Sequence, residues 1–173
     1  MDISDSASEV IIKNGGEFHF CDVSAESDWQ ALAYKVEDSL GGIDYLFLNA
    51  GIQAAPPEAP LSEYRFEAFD SERYRRLIGV NIDGVVFGLH YLLPRLRSGG
   101  SIVVTGSLAG IVPYDIDPLY SMTKHAVTGL VRSLAAEMEE RGLRINALCP
   151  AGIDTGIIPE AQRVEGAVFM SAE

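Results

Sequence analysis

The chain has 173 residues, 47% of them hydrophobic, which suits one globular domain with a sizeable core. Its net charge of −12, with scattered basic residues, argues against nucleic acid and anionic membranes as partners, and no apolar run approaches the ~20 residues that span a bilayer. Cys21 and Cys149 lack metal-type spacing and the start from Met1 to Ser8 is polar and acidic, so a cytoplasmic protein with reduced thiols is expected.

In chain order, Ser6 to Glu9 read as a capping box for a first helix. Asn14-Gly15-Gly16 then lead into a short β-like run, Glu17 to Cys21. Ser24 caps a second helix whose apolar stripe is Trp29, Leu32, Ala33, Val36 and Leu40, at helical spacings of three and four. Gly41-Gly42 ends it. Ile43 to Leu48 is a strand running into Asn49-Ala50-Gly51, and Gln53 to Pro60 is a loop. A long helix is expected from about Ser71 to Arg97, with Tyr74, Ile78, Val85, Leu89 and Leu92 inward and Pro94 ending or bending it. Gly99-Gly100 turns the chain into the strand Ser101 to Thr105. Pro118 to Arg141 is helical, with Val127, Leu130, Val131, Leu134 and Met138 on one face and Gly142 as the C-cap. Leu143 to Cys149 is the last clear strand.

Short apolar strands separated by helices predict an α/β fold: a single Rossmann-like domain over residues 1–173, with a doubly wound parallel sheet covered on both faces. Ligands of such sheets bind beyond the carboxyl ends of the strands. The unusual clusters all follow strands: Asp22-Val23, Asn49-Ala50-Gly51, Gly106-Ser107 and Pro150-Ala151-Gly152.

Tyr120 and Lys124 are four residues apart at the start of a helix, hence on one face. A phenol is a poor base near neutral pH, and a nearby ammonium favours the phenolate, so the pair could exchange a proton with an alcohol oxygen. By itself this spacing also fits a surface Tyr and Lys on an amphipathic helix. Ser107 lies thirteen residues before Tyr120, and Asn81 sits inside the preceding long helix, where Asn is a weak helix former. Each piece has a plain structural reading: a turn serine, a surface asparagine, a strand-ending turn. His19, His90 and His125 have no ligand-like spacing and read as structural or surface residues, not as metal ligands.

Taken in order, these residues resemble the short-chain dehydrogenase/reductase family over nearly the whole chain. Leu48-Asn49-Ala50-Gly51 matches the family's Asn-Asn-Ala-Gly motif with Leu48 in place of its first Asn, and Val80-Asn81 matches its helix asparagine. Thr105 to Gly110 matches the serine strand end, and Tyr120 and Lys124 the active-site signature. Pro150 to Thr155 resembles the Pro-Gly segment, with Ala151 where glycine is usual. The resemblance implies NAD(P)-dependent hydride transfer between a secondary alcohol and a ketone. Tyr120 is then the general acid/base, and Lys124 lowers its pKa and holds the nicotinamide ribose. Ser107 bonds the substrate oxygen, and Asn81 anchors a water on a proton path to Lys124. Asp22 and Val23 receive the adenine, Asn49, Ala50, Gly51, Pro150 and Gly152 belong to the cofactor site, and Ile153 and Thr155 contact the nicotinamide amide. It also implies a homodimer or homotetramer built on the two long helices, where Ala126, Leu130, Leu134 and Ala135 offer small or apolar surface.

One expected part is missing. No glycine-rich turn follows an apolar strand, although such a turn and its helix take the pyrophosphate in Rossmann-type sheets. Met1 to Ser4 resemble the end of the family's second strand, which would put the Asp2 carboxylate where an adenosine ribose binds and favour NAD over NADP. A chain truncated at both ends is the expectation, with exposed strand edges and apolar faces. The competing reading is a non-catalytic remnant or gene-model fragment that cannot bind dinucleotide tightly. A nucleotide-binding regulator without chemistry ranks last, having no need of Tyr120 and Lys124. The substrate itself is not legible; Ile111 and Tyr114 are pocket candidates by position only.

Overall fold

Apolar residues at every second position give three segments one face to bury. In a computed structural model, which describes residues 5–163 and Met170, they pair as a parallel sheet. The strands are β1 (Ile43–Leu48), β2 (Leu96–Thr105) and β3 (Arg144–Leu148), in the order β1-β2-β3. The register aligns Leu46, Ile102 and Ile145 in one row and Leu48, Val104 and Ala147 in the next. These rows face the core.

Among the described residues, five α-helices accompany the sheet: α1 (Asp5–Lys13), α2 (Glu26–Leu40), α3 (Ser71–Ile78), α4 (Gly84–Leu92) and α5 (Pro118–Glu140). Trp29 and Ala33 of α2, Val85, Leu89 and Leu92 of α4, and Val127, Val131 and Met138 of α5 close over the buried rows. The Trp29 indole N–H is satisfied by the Val23 carbonyl at 2.9 Å, so its ring is buried without an orphaned donor. Gly142, at φ +68°, stops α5 as expected.

Several expectations are corrected. Ser6 lies inside α1, which begins at Asp5, not at its cap. Ser24 does not cap α2: the N-cap is Ala25, without a side-chain bond, and the Ser24 hydroxyl donates to Asp22 Oδ1 at 2.7 Å. Leu40 is exposed, because Gly41 turns left-handed directly after it and the helix ends before the stripe can be covered. The expected single helix from Ser71 is α3 and α4 joined through a wide π-type turn, Gly79–Asp83. The extra residue in that turn rotates the buried face onto Leu77, Val80 and Asn81 and leaves Tyr74 and Ile78 half-buried. Asp70 caps α3 by accepting from the Glu72 and Arg73 amides. Pro94 sits in the turn that ends the helical stretch. β2 then starts at Leu96, before the expected Ser101, and Gly99-Gly100 is a kink inside it. A Cβ on Gly100 would lie 2.8 Å from the Arg97 carbonyl oxygen.

Glu17 to Cys21 has no regular secondary structure and pairs with no strand among the described residues. Helices α2, α4 and α5 cover the face of the sheet that carries the buried rows, whereas on the other face Tyr45 and Phe47 are 79% and 58% exposed; Phe20, within the unpaired run, is 71% exposed. A strand needs a neighbour for its ladder bonds and a face needs a second layer; the described part supplies neither here. The stretch Ser71–Arg95 is long and apolar enough to cross a membrane by length and composition, against the expectation that none would be. Half of its apolar window is buried inside the protein, with Val85, Leu89 and Leu92 in the core.

Candidate active site

The carboxyl ends of β1 and β2, the segment after β3 and the start of α5 meet at a cleft of about 690 Å³. Each wall is set by a local constraint. β2 leaves the sheet at Gly106, where a Cβ would lie 2.8 Å from Cys149 Sγ. The Ser107 hydroxyl accepts from the Ala109 amide at 3.1 Å and so caps the short turn Leu108–Gly110. That turn docks on α5 through the Ser121 hydroxyl, which donates to the Ala109 carbonyl at 2.8 Å.

Asp117 starts α5. It is fully buried; Oδ1 accepts from the Tyr120 amide at 2.9 Å and Oδ2 from the Ala54 amide at 2.8 Å. One carboxylate therefore ties the loop after β1 to the start of α5. Sequence reading missed it, although Asp directly before a Pro at the first helical position is an N-cap signal. Burial pushes the Asp117 pKa up, opposed by the backbone N–H groups it accepts from.

Tyr120 and Lys124 are both buried on the same face of α5, with Lys124 Nζ 5.6 Å from the Tyr120 ring centroid. Nζ donates to the Thr105 carbonyl at 2.8 Å. Burial raises the phenol pKa of Tyr120, with Tyr114 and Asp117 adding to the rise and the neighbouring Ser107 hydroxyl opposing it. The expectation that Lys124 lowers the Tyr120 pKa is thus not met: the ammonium lies against the ring and bonds a carbonyl, and removal of the phenolate from water prevails.

Burial pushes Lys124 itself down to about 8, with Cys149 opposing. The folded chain then holds this proton less tightly than the unfolded chain, so stability rises with pH between about 8 and the ordinary 10.5. Lys124→Met should abolish that contribution. The stability difference between wild type and variant is expected to shift toward wild type by on the order of 3 kcal/mol across the window. Urea melts of both proteins at each end of the window measure it, other titrations cancelling in the difference; a flat difference would contradict the burial of the ammonium.

Asn81 is carried by the π-type turn and is 1% exposed. Its Oδ1 accepts from the Ile52 amide at 2.9 Å, and Nδ2 donates to the Ile52 carbonyl at 2.9 Å and to Thr123 Oγ1 at 3.0 Å. Both side-chain N–H groups are committed, so the expected water relay has none of them to use. Gly51 runs between Asn81 and Lys124: a Cβ there would lie 3.3 Å from Lys124 Nζ and 3.6 Å from Asn81 Oδ1. Asn49 Oδ1 accepts from the Thr105 hydroxyl at 2.8 Å.

The structure brings Asn49, Ala50, Gly51, Ser107, Tyr120, Lys124, Pro150, Gly152, Ile153 and Thr155 to this one cleft, with Tyr114, and Asn81 directly behind Gly51. Asp22 and Val23 do not line it. Val23 packs where a Cβ on Gly84 would touch it, and Asp22 is exposed, its pKa lowered by hydrogen bonds from Ser24. Asp2 lies outside the described residues. The bare backbone at Gly51, the inward Lys124 and the segment Pro150 to Thr155 fit the nicotinamide half of a dinucleotide by leaving an open, partly apolar floor beside a cationic donor.

Residues 4–165 match the short chain dehydrogenase family. A 2,5-dichloro-2,5-cyclohexadiene-1,4-diol dehydrogenase of Sphingobium indicum is 36% identical over 166 residues, covering 92% of this chain and 64% of the relative. A cyclohexanol dehydrogenase of an Acinetobacter species is 33% identical over 140 residues, covering 80% of this chain and 53% of the relative. Among solved structures, a short chain dehydrogenase/reductase from Burkholderia phymatum in complex with NAD superposes with a TM-score of 0.76 at 27% identity, over 94% of this chain and 59% of that one. The chain therefore spans less than two thirds of the length of these proteins.

Proposed function

The chain belongs to the short-chain dehydrogenase/reductase family, and on that premise we propose that it carries the substrate and nicotinamide half of an oxidoreductase site that interconverts a secondary alcohol and a ketone. The observation that carries this reading is the convergence of Ser107, Tyr120 and Lys124 on one cleft, with Lys124 Nζ 5.6 Å from the Tyr120 ring centroid. When bound, a nicotinamide dinucleotide supplies the hydride acceptor or donor. Ser107 holds the substrate oxygen beside the phenol. Tyr120 accepts the hydroxyl proton during oxidation and returns it during reduction. Lys124 supplies positive charge and a donor at the Gly51 edge for the ribose, and Ile153 and Thr155 present the contacts for the carboxamide.

Two relatives are named for ring alcohols, which supports a cyclic secondary alcohol as substrate. The NAD complex of the Burkholderia protein supports a nicotinamide dinucleotide, and NAD over NADP rests on Asp2. Homo-oligomerisation through α3–α4 and α5, where Ala126 and Ala135 are exposed and Leu130 and Leu134 half-buried, and a cytoplasmic location complete the reading. The second reading is a chain of this family that does not bind dinucleotide tightly and does not catalyse.

Calorimetric titration of the 173-residue chain with NAD and NADP, together with absorbance detection of reduced nicotinamide in the presence of cyclohexanol, separates the two. Weak binding of both dinucleotides and slow, saturable, cyclohexanol-dependent reduction at millimolar NAD are expected. Absence of any reduction by well-folded chain sinks the oxidoreductase reading; tight NAD binding sinks the non-catalytic one.

A further inference from the structure

We propose that Gln53 is a specificity-determining acceptor that reads a second hydrogen-bond donor, an O–H or N–H, on the substrate. The inference rests on the oxidoreductase reading of the cleft and extends it to the part of the substrate that does not react.

Among the described residues, Gln53 Oε1 is the buried side-chain atom without a hydrogen-bond partner. Its identity as the oxygen follows from the other end of the amide: Nε2 donates to the Ile157 carbonyl at 3.0 Å, and a carbonyl cannot pair with the amide oxygen. Gln53 lines the same cleft as Ser107 and Tyr120. Tyr114 lines the same cleft and its hydroxyl oxygen accepts from Gln162 Nε2 at 2.7 Å, and its own hydrogen does not reach Gln53 Oε1. A shielded acceptor with no donor is costly, so native proteins keep few of them, and those they keep need a reason.

The backbone shows the reason. Gln53 is pinned on both sides by buried side chains. Asn81 grips both polar atoms of the Ile52 backbone, and Asp117 Oδ2 holds the Ala54 amide. The other oxygen of Asp117 holds the Tyr120 amide. The acceptor is therefore set at a fixed place relative to the proton-transfer residue, with its amide orientation locked from the far wall by Ile157. An acceptor so placed favours a substrate that donates from a second position and gains nothing from an ether, a halogen or a hydrocarbon there.

The test uses the full chain and the three regioisomeric cyclohexanediols, each compared with its monomethyl ether, which cannot donate from the blocked oxygen. Dissociation constants come from ligand-observed NMR. At least one diol is expected to bind about five- to tenfold more tightly than its ether, the value of one neutral hydrogen bond. Gln53→Met should collapse that ratio toward one. The diol-to-ether comparison in wild type stands even if the variant fails to fold. Equal binding of every diol and its ether, or an unchanged ratio in folded Gln53→Met, overturns the proposal. Turnover of cyclohexanol without any donor preference overturns the role of Gln53 and leaves the oxidoreductase reading intact. A donor preference that depends on Gln53, without turnover, supports the role while the oxidoreductase reading fails.

Discussion

Tyr120→Phe is expected to lower kcat for the secondary alcohol by about 10²- to 10⁴-fold, the contribution of one positioned proton-transfer group. The substitution removes one oxygen and little else. The ring stays buried, edge-on to Tyr114 at 6.3 Å between centroids, and the backbone amide stays on Asp117. Circular dichroism and urea melts should therefore remain near those of wild type while turnover is lost. Ser107 would still approach the substrate oxygen but would have no partner to pass its proton. The raised phenol pKa sets the direction of the pH dependence. The protonated phenol is the resting form, so wild-type carbonyl reduction should hold at neutral pH and fall as the phenol ionises, and alcohol oxidation should rise with pH. A Phe variant that keeps turnover within a fewfold of wild type would remove Tyr120 from the mechanism.

Gly110→Ala carries the largest expected effect on stability. A Cβ at this position would lie 2.5 Å from the Lys124 carbonyl oxygen, 2.7 Å from its carbonyl carbon and 2.9 Å from Thr128 Oγ1. Two of those atoms are backbone inside α5, which cannot yield as a side-chain tip can. The turn Leu108–Gly110 must lift from the helix or the helix must bend, and either strains the Ser121–Ala109 bond. A loss of about 3 kcal/mol, the upper end for overpacking, is expected as a lowered urea midpoint. Ser107 opens the same turn, so activity should fall with stability. Gly129→Ala is the contrast. It lies in the same helix with nothing within 4 Å of its Cβ, and it should stabilise by roughly 0.5–1 kcal/mol. If the two variants melt alike, the close approach at Gly110 is wrong.

Where reading the chain fell short, the cause was a contact with a distant partner. The nearly uninterrupted apolar run Ile43 to Leu48 is enough to recognise a strand, yet Glu17 to Cys21, also read as β-like, is unpaired because no described neighbour offers it a ladder. The helical period from Ser71 located a helix, but a one-residue widening at Gly79–Asp83 changed which side chains are inside, and periodicity carries no sign of such a bulge. Asp117 and Gln53 look like a helix cap and a loop residue in one dimension. Their partners, Ala54 and Ile157, are 63 and 104 residues away.

The sequence alone determined the parallel α/β class, the family and the order of Asn81, Ser107, Tyr120 and Lys124, because strand and helix periods and motif spacings are local properties of the chain. Only the tertiary structure decided that Asn81 spends its amide on Ile52 and Thr123, that burial raises the Tyr120 pKa, and that α2, α4 and α5 pack over one face of the sheet. Desolvation and hydrogen-bond commitment depend on every group that packs around a side chain, and those groups come from segments far apart in sequence.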